Sequence, residues 1–252
     1  MIAFVRGVSD GFASALSASP TLKDAAVARR QHAAYRAALV AAGCEVVDIA
    51  GDPVFPDCCF VEDTAVVAGS RVILTRPGAP SRRGEVDAVA AAIAARRPDL
   101  LRCRLTEPAT LDGGDCLRLG KTIYAGLSAR TNPAGVRALA DAAHGFTVVA
   151  VELPPSVLHL KCVCAPLGDD RVLLARGTLP ASTFRGADIV WVPEAEGYAA
   201  NAVALGRTAL AAPGFPQTHD ALAAAGFDVV PVETTEFRKA DGSLTCLSVI
   251  VA

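Results

Sequence analysis

The 252-residue chain lacks a surplus of positive charge: 24 Lys and Arg stand against 26 Asp and Glu, a formal net charge of −2. That balance gives no reason to expect nucleic acid or an anionic membrane as partner. No uncharged apolar run approaches the ~20 residues that span a bilayer, and the opening "MIAFVRGVSDG" has no basic stretch ahead of an apolar core. A cytoplasmic protein is the expectation. Paired CxxC spacing is missing as well, since "CC" at 58 and "CVC" at 162 do not suit a tetrahedral zinc site. The eight cysteines lie mostly inside apolar strand-like runs, which favours free thiols in a reducing compartment over a disulfide framework. No stretch has the composition of a linker, so residues 1–252 are expected to form one domain, large enough to bury a core without disulfide or metal staples.

What the chain does have is a recurring phrase: an Ala-rich amphipathic helix, a Gly or Pro stop, then a β-branched strand. The clearest copies are "AALVAAGCEVVDI" (37–49) and "ALAAAGFDVVPVE" (221–233). Others are "AAIAARRPDLLRCRL" (91–105), "ALADAAHGFTVVAVEL" (138–153) and the weaker "TFRGADIVWVP" (183–193), with stops at Gly43, Pro98, Gly145, Gly186 and Gly226. Glycine there ends a helix by taking a left-handed cap, and the Val/Ile run after it is a buried strand. "TAVVAGSRVILT" (64–75) and "DCLRLGKTIYAG" (115–126) each read as two strands joined by a tight turn. Units of this kind cannot bury their apolar faces alone. A ring of five α/β units around a central channel is the preferred architecture, with an open doubly wound sheet as the alternative.

Unpaired buried charge is expensive, so polar residues inside apolar segments point to the channel. Four segments qualify: "FPDCCFVEDTAVV" (55–67) with Asp57, Glu62 and Asp63, "TLDGGDCLRL" (110–119) with Asp112 and Asp115, "VLHLKC" (157–162) with His159, and "DGSLTCLSV" with Cys246. Each also has a plain reading, as turn residues, a core histidine or a buried cysteine. Their placement near strand ends of different units favours convergence. His32, His144 and His219 have the context of surface helices or loops.

These stretches, together with "ILTRPGAPSRRGEV", "GLSARTN", "YAAN" and "RKADGSLTCLS", resemble the dimethylarginine dimethylaminohydrolases, or dimethylargininases, of the guanidine-modifying superfamily. The resemblance runs nearly end to end. It implies a five-bladed ββαβ propeller, the pentein fold, with pseudo-fivefold symmetry around a narrow channel. It further implies hydrolysis of Nω-methylated arginines to citrulline through a covalent S-alkylthiouronium, with neither cofactor nor metal. Cys246 would be the nucleophile, His159 the general acid and base, and Asp112 their acidic partner. Asp63 and Asp112 would hold the guanidinium, supported by Glu62, and Asp57 would meet the amino-acid portion. Arg82 and Arg130 match residues that grip the α-carboxylate. Leu16 and Ala240 match positions that contact substrate through the main chain, and Asp241 follows Ala240 in that segment. Departures are Asp112, where some relatives carry the longer Glu, and Ala240, where relatives are bulkier. "RGVSDGFASALSASP" (6–20) reads as a lid hinged at Gly7 and Gly11, or as an ordinary surface loop. A homodimer is an allowed assembly. Rival readings are an arginine deiminase, an amidinotransferase and a non-catalytic propeller module.

Overall fold

The computed structural model describes residues 1–18 and 21–252. Strand β1 (Ile2–Arg6) leads to helix α1 (Ala25–Ala41) and then β2 (Glu45–Ile49), which lies parallel to β1 with Ile2 opposite Glu45 and Arg6 opposite Ile49. The second unit is β3 (Ala65–Ala68), antiparallel β4 (Arg71–Leu74), α2 (Glu85–Arg96) and parallel β5 (Leu101–Arg104). The third repeats the pattern with β6 (Cys116–Leu119), β7 (Thr122–Leu127), α3 (Pro133–Ala142) and β8 (Thr147–Glu152). The fourth has β9 (Cys164–Pro166), β10 (Arg171–Ala175) and β11 (Asp188–Val192). The fifth has β12 (Val203–Leu205), β13 (Thr208–Ala211), α4 (Pro216–Ala224) and β14 (Asp228–Pro231). After the short α5 (Thr235–Arg238), β15 (Val249–Val251) pairs antiparallel with β1 and completes the first sheet from the far end of the sequence.

Each of the five sheets has three strands, one antiparallel and one parallel junction, and the whole is a five-bladed α/β propeller. The expected hairpins are present as β3–β4 and β6–β7. Gly43 and Gly226, at the ends of α1 and α4, adopt φ of 85° and 92°, the left-handed cap that lets each chain reverse into its parallel strand. One repeat departs from the expected phrase. Between β10 and β11 the described residues form only a single 3-10 turn at Ala181–Thr183, because Gly177, Pro180 and Gly186 leave no uninterrupted stretch for a helix.

Helix α1 starts on an Asp24 side chain that accepts from the backbone N–H groups of Ala26 and Val27. It buries Ala28, His32, Tyr35 and Leu39, spaced three and four residues apart, on one face. His32 is therefore core, contrary to its surface-like context, and packs edge-on against Phe237 with ring centroids 6.4 Å apart. Burial pushes its pKa down to about 4. Among the described residues no helix is long and apolar enough to cross a membrane.

Candidate active site

A short 3-10 segment precedes the first strand of every blade: single turns at Val61–Thr64 before β3, Gly113–Asp115 before β6, Leu160–Cys162 before β9 and Thr245–Leu247 before β15, and a longer one kinked at Glu196, Glu194–Ala200, before β12. These segments are too short to show a hydrophobic period. They meet at one end of the channel and bring together the charged segments picked out in the sequence.

Asp63 is 3% exposed, with Oδ2 accepting from Arg82 Nη1 at 2.5 Å and Oδ1 accepting from the Gly114 N–H at 2.9 Å. Asp112 is wholly buried. Its Oδ1 accepts from the Gly78 N–H at 2.8 Å, and its Oδ2 lies 3.0 Å from His159 Nε2 and 3.9 Å from Arg130 Nη1. In this state Asp112 orients the imidazole and has no open face of its own. The other ring nitrogen, Nδ1, lies over Gly114, where an added Cβ would stand 2.9 Å from it. Arg82 is equally committed: Nε and Nη2 donate to Glu85, Nη2 also donates to the Phe60 carbonyl at 2.9 Å, and Nη1 donates to Asp63. Of its five N–H donors few remain for a ligand, whereas Arg130 is partly exposed and among the described residues its guanidinium makes only the long contact to Asp112.

Two cavities share Cys246, His159, Asp241 and Gly242 in their walls. The smaller, about 290 Å³, adds Leu16, Asp57, Asp63, Arg82, Arg130 and Ala240. The larger, about 770 Å³, adds Glu62, Lys161, Tyr198 and an apolar flank. A third cavity of about 400 Å³ opens among residues of β3, β6, β12 and β15, and Glu62 and Lys161 lie between it and the larger one. The Lys161 ammonium donates to Glu62 Oε1 at 2.5 Å, and the Thr245 hydroxyl donates to Oε2 at 2.8 Å. All eleven candidate residues thus converge: ten line the two cavities at Cys246, and Asp112 supports His159 from behind.

The N-terminal segment is latched over this site. The Leu16 N–H donates to Asp57 Oδ1 at 3.0 Å, the Ser17 hydroxyl to the Lys239 carbonyl at 2.7 Å, and the Ala18 N–H to Asp241 Oδ2 at 2.6 Å. Asp241 has φ of 56°, the one non-glycine in the left-handed region among the described residues, a conformation Asp tolerates better than most. The expected hinges Gly7 and Gly11 serve close packing: an added Cβ would stand 3.1 Å from Gly51 N and 3.3 Å from the Pro53 carbonyl oxygen. The last two residues of the expected lid, Ser19 and Pro20, lie outside the described residues.

Electrostatics set the protons. Burial alone would lower the His159 pKa, but the Asp63 charge, the hydrogen bond to Asp112 and Asp115 beyond it raise it to about 9. Burial favours the neutral form of Asp63, yet the imidazolium of His159 and the guanidinium of Arg82 hold its carboxyl down at about 2. Burial and the charges of Glu62 and Asp63 push the Cys246 thiol well above its ordinary value. Burial also raises Glu62 and Asp57, against the cations Lys161 and Arg82 respectively. Ligand-type atoms of Asp63, Asp112 and His159 lie within 4.8 Å of one another, but the guanidinium and imidazolium already supply positive charge there.

Three residues support the site without having been assigned a role from the sequence, although Asp115 was among the charged interruptions picked out there. Lys161 interrupts the same leucine-framed run as His159, a signal equal to that of the histidine. Asn201 donates through Nδ2 to the Lys161 carbonyl and to Thr245 Oγ1, each at 2.9 Å, and its Oδ1 accepts from the Thr245 N–H. It therefore ties the turn carrying Cys246 to the turn carrying Lys161. Asp115 accepts from the Leu160 N–H at 3.0 Å and the Ser128 hydroxyl at 2.7 Å, which fixes the start of the His159 turn.

Residues 52–189 match the family model described as arginine deiminase. The chain is 35% identical over 245 residues to the N(G),N(G)-dimethylarginine dimethylaminohydrolase of Pseudomonas aeruginosa, covering 96% of this chain and 94% of that one. It is 39% identical over 231 residues to the enzyme of the same name from Streptomyces coelicolor, covering 90% and 86%. A solved structure of a mutant of the Pseudomonas aeruginosa protein complexed with citrulline superposes with a TM-score of 0.93 at 33% identity, over 98% of this chain and 97% of that one. Coverage and identity of this order, on a five-bladed propeller, mean that the chain belongs to the dimethylarginine dimethylaminohydrolase family of the pentein superfamily.

Proposed function

We propose that the protein hydrolyses Nω-methylated arginines, giving citrulline and dimethylamine or methylamine through a covalent adduct on Cys246. The observation that carries this reading is the shared wall of Cys246 and His159, flanked by Asp63 and by a small pocket whose charges suit a free amino acid. In that pocket Arg130 would pair with the α-carboxylate, with Arg82 beside it. Asp57 and the main chain at Leu16 and Ala240 would hold the amino group. The guanidinium would lie against Asp63, and its cation would offset the acids that suppress the thiol. Sulfur attack on the central carbon would give a tetrahedral centre that is neutral or positive, so carboxylates take the place that an oxyanion hole has in acyl transfer. His159, protonated below about pH 9, would supply the proton to the departing amine. It would then take one from the water that cleaves the S-alkylthiouronium. Asp112 would keep the ring oriented throughout. The free cysteines fit the reducing cytoplasm.

An arginine deiminase would use the same groups, but the relatives aligned along nearly the whole chain carry the dimethylarginine name. Citrulline release from dimethylarginine, monomethylarginine and arginine tests the reading. The methylated substrates should have the higher kcat/KM, and Cys246→Ser should abolish turnover while still binding ligand. Preference for arginine, or turnover by the Ser variant, would overturn it.

A further inference from the structure

We propose that the site accepts arginines whose departing nitrogen carries a substituent much larger than methyl, namely Nω-alkyl and Nω-arylalkyl arginines, with Val157 setting the limit of size. The inference rests on the hydrolytic reading above and names a wider substrate class for the same centre.

The two cavities meeting at Cys246 and His159 are unequal in size and in character. The smaller, about 290 Å³, holds Asp57, Arg82 and Arg130 and suits the charged amino-acid end. The larger, about 770 Å³, is left for the other side of the guanidinium. Its flank is Leu127, Leu153, Pro154, Pro155, Val157 and Val163. Arg238, the arginine in its wall, is stacked on the Tyr198 ring with its guanidinium carbon 4.4 Å from the centroid. Nothing in that flank complements an amino acid. Cavities of about 300–1,000 Å³ enclose drug-sized ligands, whereas dimethylamine has three heavy atoms. The space is also held open. Two consecutive prolines fix the backbone of the 153–158 segment, the Val157 N–H closes a turn onto the Pro154 carbonyl at 2.9 Å, and Leu153 packs on the core next to Gly126.

The chemistry sets no limit on the substituent. Cys246 releases its proton to solvent as the substrate cation binds, the bond from its Sγ to the guanidinium carbon forms, the bond from that carbon to the substituted nitrogen breaks, and the amine leaves whole with the proton from His159. Water then replaces sulfur at the same carbon, giving citrulline and the free thiol. A larger group needs only room on the departing side, and an apolar group gains there by leaving water.

The test is citrulline release from Nω,Nω-dimethyl-, Nω-propyl- and Nω-benzyl-L-arginine by the wild type and by Val157→Trp. A fitted apolar pocket rejects one excess methylene by about 10- to 200-fold. In the wild type, kcat/KM for the benzyl substrate should lie within about tenfold of that for dimethylarginine. Val157→Trp, at a partly exposed position, should lower kcat/KM for the benzyl substrate at least about tenfold and spare dimethylarginine, whose turnover also reports folding. A wild-type fall of more than about tenfold from dimethyl to benzyl overturns the proposal, as does an equal loss for all three substrates in the variant. Turnover of the benzyl substrate without dimethylarginine would instead overturn the methylarginine reading and leave this one standing.

Discussion

Cys246 and His159 hold both their protons at rest. The thiol is pushed well above its ordinary pKa by burial and by the acids at 62 and 63, while Asp63, Asp112 and Asp115 raise the imidazole to about 9 against its burial. A neutral thiol beside an imidazolium cannot attack, so activation has to come from the substrate cation, which cancels the same acids. Titrating thiolate ultraviolet absorbance should therefore show little thiolate in the free protein up to about pH 9. Saturation with an unreactive alkylguanidinium amino acid should lower the thiol pKa by at least about one unit. An equally low value in both states would remove the argument. The imidazolium sets the other limit. Because the free protein holds both protons and only the thiol's must leave, kcat/KM, which reports the free enzyme, should rise about tenfold per unit toward pH 9 and stop rising above it, where His159 loses the proton that the leaving amine needs. The two residues that share the cavity wall could be picked out in the sequence because a histidine and a cysteine interrupt apolar runs. Asn201 was not, since an asparagine near a strand start is ordinary until Thr245, 44 positions later, turns out to bond to both ends of its amide.

The short 3-10 segments ahead of each inner strand act as the mounts of the site, and the glycine pair before β6 separates two of their tasks. A Cβ on Gly113 would stand 2.0 Å from the Glu62 carbonyl oxygen, a backbone atom with nowhere to go. A Cβ on Gly114 would meet Asp63 Oδ1 at 2.8 Å and His159 Nδ1 at 2.9 Å, which are side-chain atoms able to move. Gly113→Ala should therefore cost several kcal/mol of stability through forced separation of two blades. Gly114→Ala should leave a folded protein with kcat lowered about 100-fold by displaced catalytic groups. Urea unfolding and turnover measured on both variants check the division, and equal destabilisation of the two would refute it. At this scale the hairpins and the helix-to-strand units could be read from the sequence because strands and helices impress periods of two and 3.6 on it. The mounts could not, because segments of three or four residues, or seven broken by a kink, carry no period. The fourth crossover failed as a helix for a local reason, the breakers Gly177, Pro180 and Gly186.

As a whole the molecule is a ring closed by β15 on β1, and it concentrates titratable groups where the blades converge, so its stability should follow those groups and not its surface. His159 goes from an ordinary value of 6.5 to about 9, so its contribution is complete below pH 6.5 and disappears as pH rises through 9. A shift of that size corresponds to ~3 kcal/mol for a fully buried group. Asp63 goes from 3.8 to about 2, so its contribution is complete above pH 3.8 and disappears as pH falls through 2. Glu85, which burial drives up to about 7 against its bond to Arg82, loses its contribution as pH rises from 4.5 through 7, in the same direction as the histidine. Together these place the stability maximum at about pH 4–5, with a decline toward pH 9. Urea midpoints followed by the fluorescence of Trp191, the single tryptophan, which stacks with Arg176 in the fourth blade, should trace that decline. In His159→Asn the part of the slope between pH 6.5 and 9 should vanish while the part from Glu85 remains. An unchanged slope in that variant would mean that the imidazole carries no charge in the folded ring, and the proton assigned to the leaving amine would then have to come from elsewhere.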